Sequence, residues 1–493
     1  MFRPVSFLRN ALLAALLAPA LAGCGRGDDR AVEVAVIGDP SAPFATGPRL
    51  PLAAQLVRAA SAEGLVGFDE QGRVIPAIAD RWIVTDDGLS YIFRLRDGTW
   101  PEGDAITGET GRAALIRAIG ALRGTALGSD LAVIREVRAM AGRVIEIRLH
   151  QQAPDLLQLL AQPELGLTMR GNGAGPMRLT RDKRTAILTP IPPEDLGLPQ
   201  PENWEARRRK LNLLALPAAD AITRFNAGEA AVVLGGRFAD FPRLDAAGVP
   251  RGAIRLDPVT GLFGLAVTRT DGFLGAPENR EALAMAIDRE GLAAALNVGG
   301  WTATTRVVAP GSADDNGTVA ERWPGQTLAE RRTIATARLA AWQKANGKLP
   351  VLRVALPAGP GGDVLLRQLS KDFEAIGLTV RKVGEAADAD LRLVDTVARY
   401  ARVGWFLNQL SCGNARGPCS PGADRLAETA LAEPDPVKRA DLYAQAEAQL
   451  TIANSFIPFG VPVRWSLVSG TVTGFAPNRW NIHPLMPLAM RPK

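Results

Sequence analysis

The chain has 493 residues, too many for one ordinary hydrophobic core, so we expect two or three lobes. Hydrophobic residues make up 47% and charged residues 22%, which is typical of a globular protein and excludes a disordered one. The formal net charge of +6 is small for this length and gives little support to a nucleic-acid-binding protein.

The N-terminus has the pattern of an export signal. Arg3 and Arg9 form a short positive region, and an apolar run follows over 11–21. This run is too short to span a bilayer as a stable helix but has the length of a signal-peptide core. We therefore expect a signal peptide over 1–23, whose removal lowers the net charge by two, and a mature protein outside the cytoplasm.

Cys24 ends the phrase Leu-Ala-Gly-Cys, which resembles a bacterial lipobox. In such a signal the cysteine carries several acyl chains, and several chains on one residue hold a protein stably at a membrane. We expect Cys24 to be lipidated, residues 24–31 to form a polar tether, and the protein to be anchored to a bacterial membrane on its periplasmic or extracytoplasmic side. An ordinary signal peptide with a chance cysteine is the alternative.

Short strands separated by Gly and Asp turns fill the early part of the chain. In the strand predicted at 89–96, Leu89, Tyr91, Phe93 and Leu95 alternate with residues on the opposite face, and only one position breaks the alternation. This pattern indicates an antiparallel region with one buried face.

The later chain alternates strands and helices. A β-rich apolar run at 351–356 leads through a glycine loop into a helix over 363–376, where Leu365, Leu369 and Phe373 share one face. A further strand follows, so this segment predicts a βαβ unit and the whole chain is mixed α/β.

Two cysteines, Cys412 and Cys419, flank a loop that contains two glycines and a proline. In an oxidising compartment this spacing favours a disulfide. A metal site would need further ligands, and His150 and His483, the two histidines, are far away in the sequence. We predict neither a metal site nor a cofactor.

Several phrases match one family in the same order and spacing, from about residue 62 to 478. They resemble the family 5 extracellular solute-binding proteins, the dipeptide/oligopeptide-binding class of ABC importers. The phrases lie at 64–72, Val74–Trp82, 85–98, 173–179, 221–229, 278–289, 435–443, 457–458 and 474–478. Turns and core-facing helices explain most of them, so they identify a fold rather than ligand contacts.

The resemblance implies an α/β, bilobal type II periplasmic-binding-protein fold that is cluster C-like, with an extra subdomain in the first lobe. We place lobe I at 32–255, the extra subdomain near 50–165, lobe II at 256–465 and a C-terminal return to lobe I at 466–493. The lobes of such a fold close over the ligand by hinge bending.

The resemblance also implies a function. We expect the extracytoplasmic substrate-binding component of an ABC importer, a monomer that captures peptides or similar small solutes and delivers them to the permease subunits in the membrane. The alternative is a lipid-anchored sensory or structural lipoprotein that kept the fold but lost transport.

Two charged residues, Asp395 and Arg399, are candidate ligand contacts. In peptide-binding relatives, an Asp late in the second lobe pairs with the ligand amine, and the corresponding stretch here keeps Asp395 but loses the rest of the phrase. Arg399 and Arg402 follow instead, which leaves room for an anionic or non-peptide ligand. The alternative is that Asp395 caps a helix or pairs with a nearby arginine.

Two aromatic residues, Trp405 and Trp301, are candidates for the cleft on composition, with burial in the core as the alternative.

An enzyme is not expected. The chain lacks G-x-S-x-G, S-x-x-K and H-E-x-x-H, and the glycine loop at 359–362 lacks the Gly-Lys-Ser/Thr of a phosphate-binding loop. The basic run at 207–210 has the composition of a solvated face, and an exported protein has no access to cytoplasmic nucleic acid.

Overall fold

The computed structural model describes residues 30–415 and 417–491. The signal peptide predicted at 1–23 and the predicted lipidation site Cys24 lie outside the described residues. In the part of the chain that is described, no helix is both long and apolar enough to cross a membrane.

The strands, in chain order, are β1 (Val32–Ile37), β2 (Val66–Phe68), β3 (Val74–Pro76), β4 (Ala79–Val84), β5 (Ser90–Leu95), β6 (Ile134–Ala139), β7 (Val144–Leu149), β8 (Thr168–Met169), β9 (Asn172–Gly173), β10 (Met177–Asp182), β11 (Thr185–Pro190), β12 (Leu211–Leu216), β13 (Val232–Arg237), β14 (Ile254–Leu256), β15 (Gly261–Val267), β16 (Val351–Ala355), β17 (Thr379–Val383), β18 (Leu391–Val397), β19 (Phe456–Gly460) and β20 (Arg464–Val468). The α-helices are α1 (Leu52–Ser61), α2 (Gly108–Ala121), α3 (Ala126–Asp130), α4 (Leu156–Leu160), α5 (Trp204–Arg207), α6 (Ala218–Asn226), α7 (Pro242–Ala246), α8 (Pro277–Ala286), α9 (Arg289–Leu296), α10 (Leu328–Asn346), α11 (Pro360–Glu374), α12 (Val403–Gln409), α13 (Pro421–Ala432), α14 (Pro436–Ala453) and α15 (Leu485–Leu488).

The first large sheet has the strand order β10-β11-β12-β1-β13-β20-β14. Strand β1 is parallel to both of its neighbours, with Val34 opposite Leu213 in β12 and Val232 in β13. Parallel strands of this kind are covered on both faces, and β1 is accordingly rich in buried valines. Helix α1 packs against this sheet through Leu56 and neighbouring apolar residues.

A four-stranded antiparallel sheet, in the order β4-β5-β7-β6, lies in the early part of the chain. Tyr91, Phe93 and Leu95 of β5 are buried, as the alternating pattern predicted. They share one core cluster with Leu115 of α2 and with the buried residues of α4. We call the unit formed by residues 79–160 the small-sheet subdomain.

The second large sheet has the order β17-β16-β18-β15-β19. Strands β16 and β17 are parallel and joined by α11, so the predicted βαβ unit is confirmed. Leu365, Leu369 and Phe373 of α11 are fully buried against this sheet, on the face that the helical spacing predicted.

Two short segments connect the large sheets. Residues 257–260 join β14 in the first sheet to β15 in the second, and residues 461–463 lead back from β19 to β20. Because β14 pairs with β20 and β15 pairs with β19, the two crossings lie side by side. Adjacent short crossings between two lobes have the geometry of a hinge. They lie next to the boundaries that the sequence predicted at 255 and 465.

Candidate functional site

A cavity of about 850 Å³ lies between the small-sheet subdomain and the second lobe. One wall is formed mainly by 129–133 and 150–159, and the opposite wall by 400–413 and 424–443. The volume falls within the range of roughly 300–1,000 Å³ that is usual for small-ligand sites. A cavity between two lobes joined by a hinge can enclose a ligand when the lobes approach each other.

Asp130, the last residue of α3, is an acid in the cavity wall whose two carboxylate oxygens differ in their hydrogen bonds. Its Oδ1 accepts hydrogen bonds from the Tyr400 hydroxyl at 2.7 Å and from Nδ2 of Asn408 at 2.6 Å. Its Oδ2 is buried and has no hydrogen-bonding partner among the described residues. Burial raises the pKa of Asp130 to about 6, against the opposing effect of the hydrogen bonds from Tyr400 and Asn408.

The residues around Asp130 are fixed in donor roles. Burial, reinforced by the charge of Asp130, raises the pKa of Tyr400 well above its usual value. The hydroxyl therefore stays protonated and acts as a hydrogen-bond donor. Tyr443 also lines the cavity, and burial followed by the charge of Asp314 raises its pKa to about 12. Both phenols therefore remain neutral under ordinary conditions.

A chain of ion pairs runs along one side of the cavity. The Arg402 guanidinium donates through Nε to Asp155 and through Nη1 to Asp314 at 2.7 Å. Arg439 donates through Nε to the other oxygen of Asp314 at 3.3 Å. Asp155 belongs to the small-sheet subdomain and Arg402 to the second lobe, so this pair bridges the two walls. With two carboxylates beside it, Arg402 has little charge to offer an anionic ligand.

The charged lining of the cavity is strongly acidic. Among the described residues, its guanidinium groups are those of Arg402 and Arg439, and its carboxylates are those of Asp87, Asp130, Asp155, Asp314, Asp424, Glu428 and Glu433. A cleft lined by one sign of charge concentrates ligands of the opposite sign. The sequence around Asp395, which departs from that of peptide-binding relatives, left room for an anionic or non-peptide ligand. The acidic lining of this cavity favours a cationic ligand instead.

A disulfide joins Cys412 to Cys419 and closes the loop between α12 and α13, with a Cα–Cα distance of 5.1 Å. Ser411 and Gly413, on either side of Cys412, line the cavity. The backbone N–H of Cys412 donates to Oδ2 of Asp424 at 3.0 Å. The disulfide therefore holds one part of the cavity rim in place.

Asp395, the acid predicted to contact ligand, lies outside the lining of this cavity, on β18 near the hinge. Its carboxylate accepts from Nε of Arg237 at 2.8 Å and from Nη1 of Arg464 at 2.7 Å. Burial by itself would raise the pKa of Asp395, but the guanidiniums of Arg464 and Arg237 outweigh it and hold the pKa below its usual value. Because Arg237 and Arg464 belong to strands of the first sheet, Asp395 links the two sheets. This is the pairing that the sequence left open as the alternative, and contact with ligand stays a prediction.

Arg399 also bridges the two sides of the protein. It donates to Oε1 of Gln162 at 2.7 Å and to Glu164, whose side chain is almost fully buried, at 2.7 Å. It does not appear in the cavity lining. Its role as a ligand contact stays a prediction, because the structure shows it engaged with two partners.

The two candidate tryptophans, Trp301 and Trp405, are not in the lining of this cavity, and their contact with ligand stays a prediction. Trp405 is 1% exposed and packs edge-on against Phe406, with ring centroids 5.0 Å apart. Trp301 donates from Nε1 to the carbonyl of Val461 at 2.7 Å, within a hinge segment, and packs edge-on against Phe263. Trp405 is buried in the core, which was the alternative considered from the sequence. Trp301 packs beside the hinge.

Comparison with known proteins places the fold. No family model matches the chain. The oligopeptide-binding protein OppA of Haemophilus influenzae, solved in complex with the peptide RPPGFSPFR, has a TM-score of 0.78 at 16% identity, over 94% of this chain and 99% of that one. The murein tripeptide-binding protein MppA of Escherichia coli has a TM-score of 0.79 at 17% identity, with the same coverage.

The chain has the fold of the periplasmic oligopeptide-binding proteins. The bilobal α/β fold that the sequence resemblance implied is therefore confirmed.

Sequence comparison finds a partial match. The probable deoxycholate-binding periplasmic protein YgiS of Escherichia coli (strain K12) is 33% identical over 121 residues, which cover 21% of this chain and 23% of that protein. The aligned region thus spans less than a quarter of the length of that curated relative.

A second structure of MppA, its unliganded open form, has a TM-score of 0.64 at 18% identity, over 94% of this chain and 97% of that one.

The sequence did not point to Asp130, Asp155 or Tyr443. Asp130 lies at the end of a five-residue helix, and its partner Tyr400 is 270 residues away in the chain. Tyr400 follows directly after Arg399, which is not in the cavity lining, and both Tyr400 and Arg402 line the cavity.

Proposed function

We propose that this protein is the extracytoplasmic substrate-binding component of an ABC importer. It captures a peptide or a similar small solute in the cavity between the small-sheet subdomain and the second lobe, and delivers it to a membrane permease. The observation that carries this proposal is the cavity of about 850 Å³ in a fold shared with OppA and MppA. Binding, rather than chemistry, is the activity of such a cleft.

The contacts across the cavity supply a closing mechanism. The pairs Arg402–Asp155 and Arg399–Glu164 join the second lobe to residues of the early chain. They break when the lobes separate and re-form when the lobes approach. A ligand that contacts both walls then stabilises the approached state through its differential affinity, and a permease can recognise that state.

Lipid anchoring through Cys24 is part of the proposal. Replacement Cys24→Ser should release the protein from the membrane fraction into the soluble extracytoplasmic fraction, and should abolish labelling by a clickable fatty acid. Unchanged membrane association in the variant would remove the anchor from the proposal.

Native mass spectrometry of the protein, purified without denaturation from its own cells, tests the capture function. We expect mass above that of the polypeptide, which is lost on activation and is identified as a peptide series or a single small solute. A protein that carries no ligand, and shows no thermal shift with peptides, sugars or metal chelates, would contradict capture and favour a lipoprotein that has lost transport.

A further inference from the structure

We propose that the cavity selects a ligand with two or more positive charges, and that the carboxylate of Asp130 pairs with one of them. This inference rests on the proposed capture function and adds the chemical class of the substrate. Peptides with basic side chains and linear polyamines share this chemistry.

The first observation is the unpartnered oxygen. Oδ2 of Asp130 is buried in the cavity wall without a hydrogen-bond donor among the described residues, although Oδ1 has two. A buried carboxylate oxygen without a donor is costly, and natural proteins rarely retain one unless a ligand or ion completes it. This oxygen is closed to solvent in the arrangement shown, so a ligand reaches it when the lobes separate, and an ammonium or guanidinium group then supplies both the missing donor and the opposite charge.

The second observation is the acidic rim. Asp87, Asp424 and Glu433 accept hydrogen bonds from neutral groups only, namely a threonine hydroxyl and backbone N–H groups. Glu428 is exposed at the same rim. Among the described residues these four carboxylates form no ion pair, although Nη1 of Arg439 donates to the backbone carbonyl of Glu433 at 3.1 Å. When one positive charge of the ligand lies at Asp130, a second positive charge therefore lies in a negative potential at the rim of the cavity.

The arginines of the lining do not offset this potential. Arg402 faces Asp155 and Asp314, and Arg439 also faces Asp314. Two guanidiniums are thus matched by two carboxylates within the wall. Among the described residues, the other five carboxylates of the lining, Asp130 and the four at the rim, form no ion pair and can face the ligand.

Protonation of Asp130 gives the selection a pH dependence. The groups facing Asp130 are Tyr400, Asn408, Arg399 and Asp155, and burial outweighs them to give a pKa of about 6. Below that pH the carboxyl group is neutral and cannot pair with a cation. Binding of a cationic ligand should therefore weaken as the pH falls through about 6.

Isothermal titration of the purified, ligand-stripped protein with four probes tests the proposal. The probes are trilysine amide, its fully acetylated neutral counterpart, spermidine and sodium deoxycholate. We expect trilysine amide, spermidine or both to bind, and the acetylated peptide and deoxycholate not to bind. Binding of trilysine amide alone identifies a basic peptide as the source of the charge, and binding of spermidine alone identifies a polyamine.

Variants separate a charge effect from a folding effect. Asp130→Asn keeps the shape and should weaken the cationic probe by about 10- to 100-fold, the usual cost of losing a charge-assisted hydrogen bond. Glu428→Gln at the rim should weaken it by less than about tenfold, in a salt-dependent way. Glu374→Gln, an exposed acid at the end of α11, should change nothing.

Other outcomes would overturn the proposal. Equal binding of the charged and acetylated peptides would overturn charge selection while leaving capture in place, and so would binding of deoxycholate alone. An affinity that Asp130→Asn leaves unchanged, in a variant with native circular dichroism, would remove Asp130 from the site. If no probe binds and the protein from its own cells carries no ligand, capture itself fails.

Discussion

Asp130 and Asp395 are both buried carboxylates, and their pKa values move in opposite directions. Two guanidiniums face Asp395 and outweigh its burial. Asp130 has a tyrosine hydroxyl and an amide as partners, and burial outweighs them. Asp395 is a structural link between the two sheets. Asp130 leaves a carboxylate available to a ligand, and its burial lowers the stability of the protein. The difference yields two predictions that run in opposite directions.

Asp130→Asn should stabilise the ligand-free protein at neutral pH. The folded-state pKa of about 6 lies above the usual value of 3.8, so the folded protein holds the proton more tightly than the unfolded chain. Stability then falls as the pH rises from about 4 to 6, by up to about 3 kcal/mol, and the variant avoids this loss. Urea unfolding at pH 4 and pH 7.5 should show the two proteins converging at pH 4. A constant difference at both values would contradict the assignment.

Asp395→Asn should destabilise the protein by about 3–5 kcal/mol, because Arg464 would be left buried beside Arg237 without a counter-charge. The matched control is Asp388→Asn. Asp388 pairs with Arg353 but its side chain is 73% exposed, so its loss should cost less than about 1 kcal/mol. Urea unfolding at pH 7 measures both, and equal costs would show that Asp395 is not held as the structure indicates.

At the scale of elements, the contacts of Gly361 explain why glycines occur in the first turn of α11. A Cβ at Gly361 would lie 2.1 Å from the carbonyl oxygen of Phe238, and the Gly361 N–H donates to the carbonyl of Ala239 at 2.8 Å. Phe238 and Ala239 follow β13 of the first sheet, whereas α11 covers the second. The glycines therefore permit close approach of two backbones from different lobes, a role unrelated to phosphate binding.

Gly361→Ala should destabilise the protein by about 2–3 kcal/mol, because neither backbone can move away without breaking the hydrogen bond to Ala239. Gly384→Ala is the control, since nothing lies within 4 Å of a Cβ at that position. Thermal unfolding followed by circular dichroism should separate the two variants. A Gly361→Ala protein as stable as the control would mean that the lobes do not approach at this loop.

Local patterns in the sequence predicted several strands and helices but little of the site. Alternation placed Tyr91 and Phe93 in the core, and helical spacing placed Leu369. Site residues depend instead on which loops the hinge brings together, and the partners Asp130 and Tyr400 are 270 residues apart. No pattern of neighbouring residues in the sequence indicates a contact between residues so far apart in the chain. Of the candidate contacts from the sequence, Asp395 and Trp301 lie near the hinge and Trp405 is buried. Arg399 pairs with Glu164, and contact of these residues with ligand stays a prediction.

At the scale of the whole molecule, the two lobes are held by a few charged contacts beside a short hinge. The pair Arg402–Asp155 joins the two walls of the cavity, and the pair Arg399–Glu164 joins the second lobe to residues of the early chain. Charged pairs of this kind, partly accessible to water, contribute modestly. A modest closing energy suits a binding protein, because ligand then decides the equilibrium.

Arg399→Ala should shift the ligand-free protein toward a more open arrangement. The variant removes the donors to Glu164 and Gln162 and leaves a carboxylate in the cleft that is better solvated when the lobes separate. Small-angle scattering should show a larger radius of gyration than for the wild type, and a saturating ligand should reduce the difference, since its affinity now includes the cost of closure.

The control for this experiment is Arg353→Ala, which breaks ion pairs that lie within the second lobe alone, to Asp388 and Asp390. It should leave the radius of gyration unchanged. Raising the salt concentration should move the wild type toward Arg399→Ala, because screening weakens partly exposed pairs. If Arg399→Ala scatters like the wild type at every salt concentration, the closing energy resides in the apolar contacts of the hinge, such as Trp301 against Phe263, and the ion pairs only accompany closure.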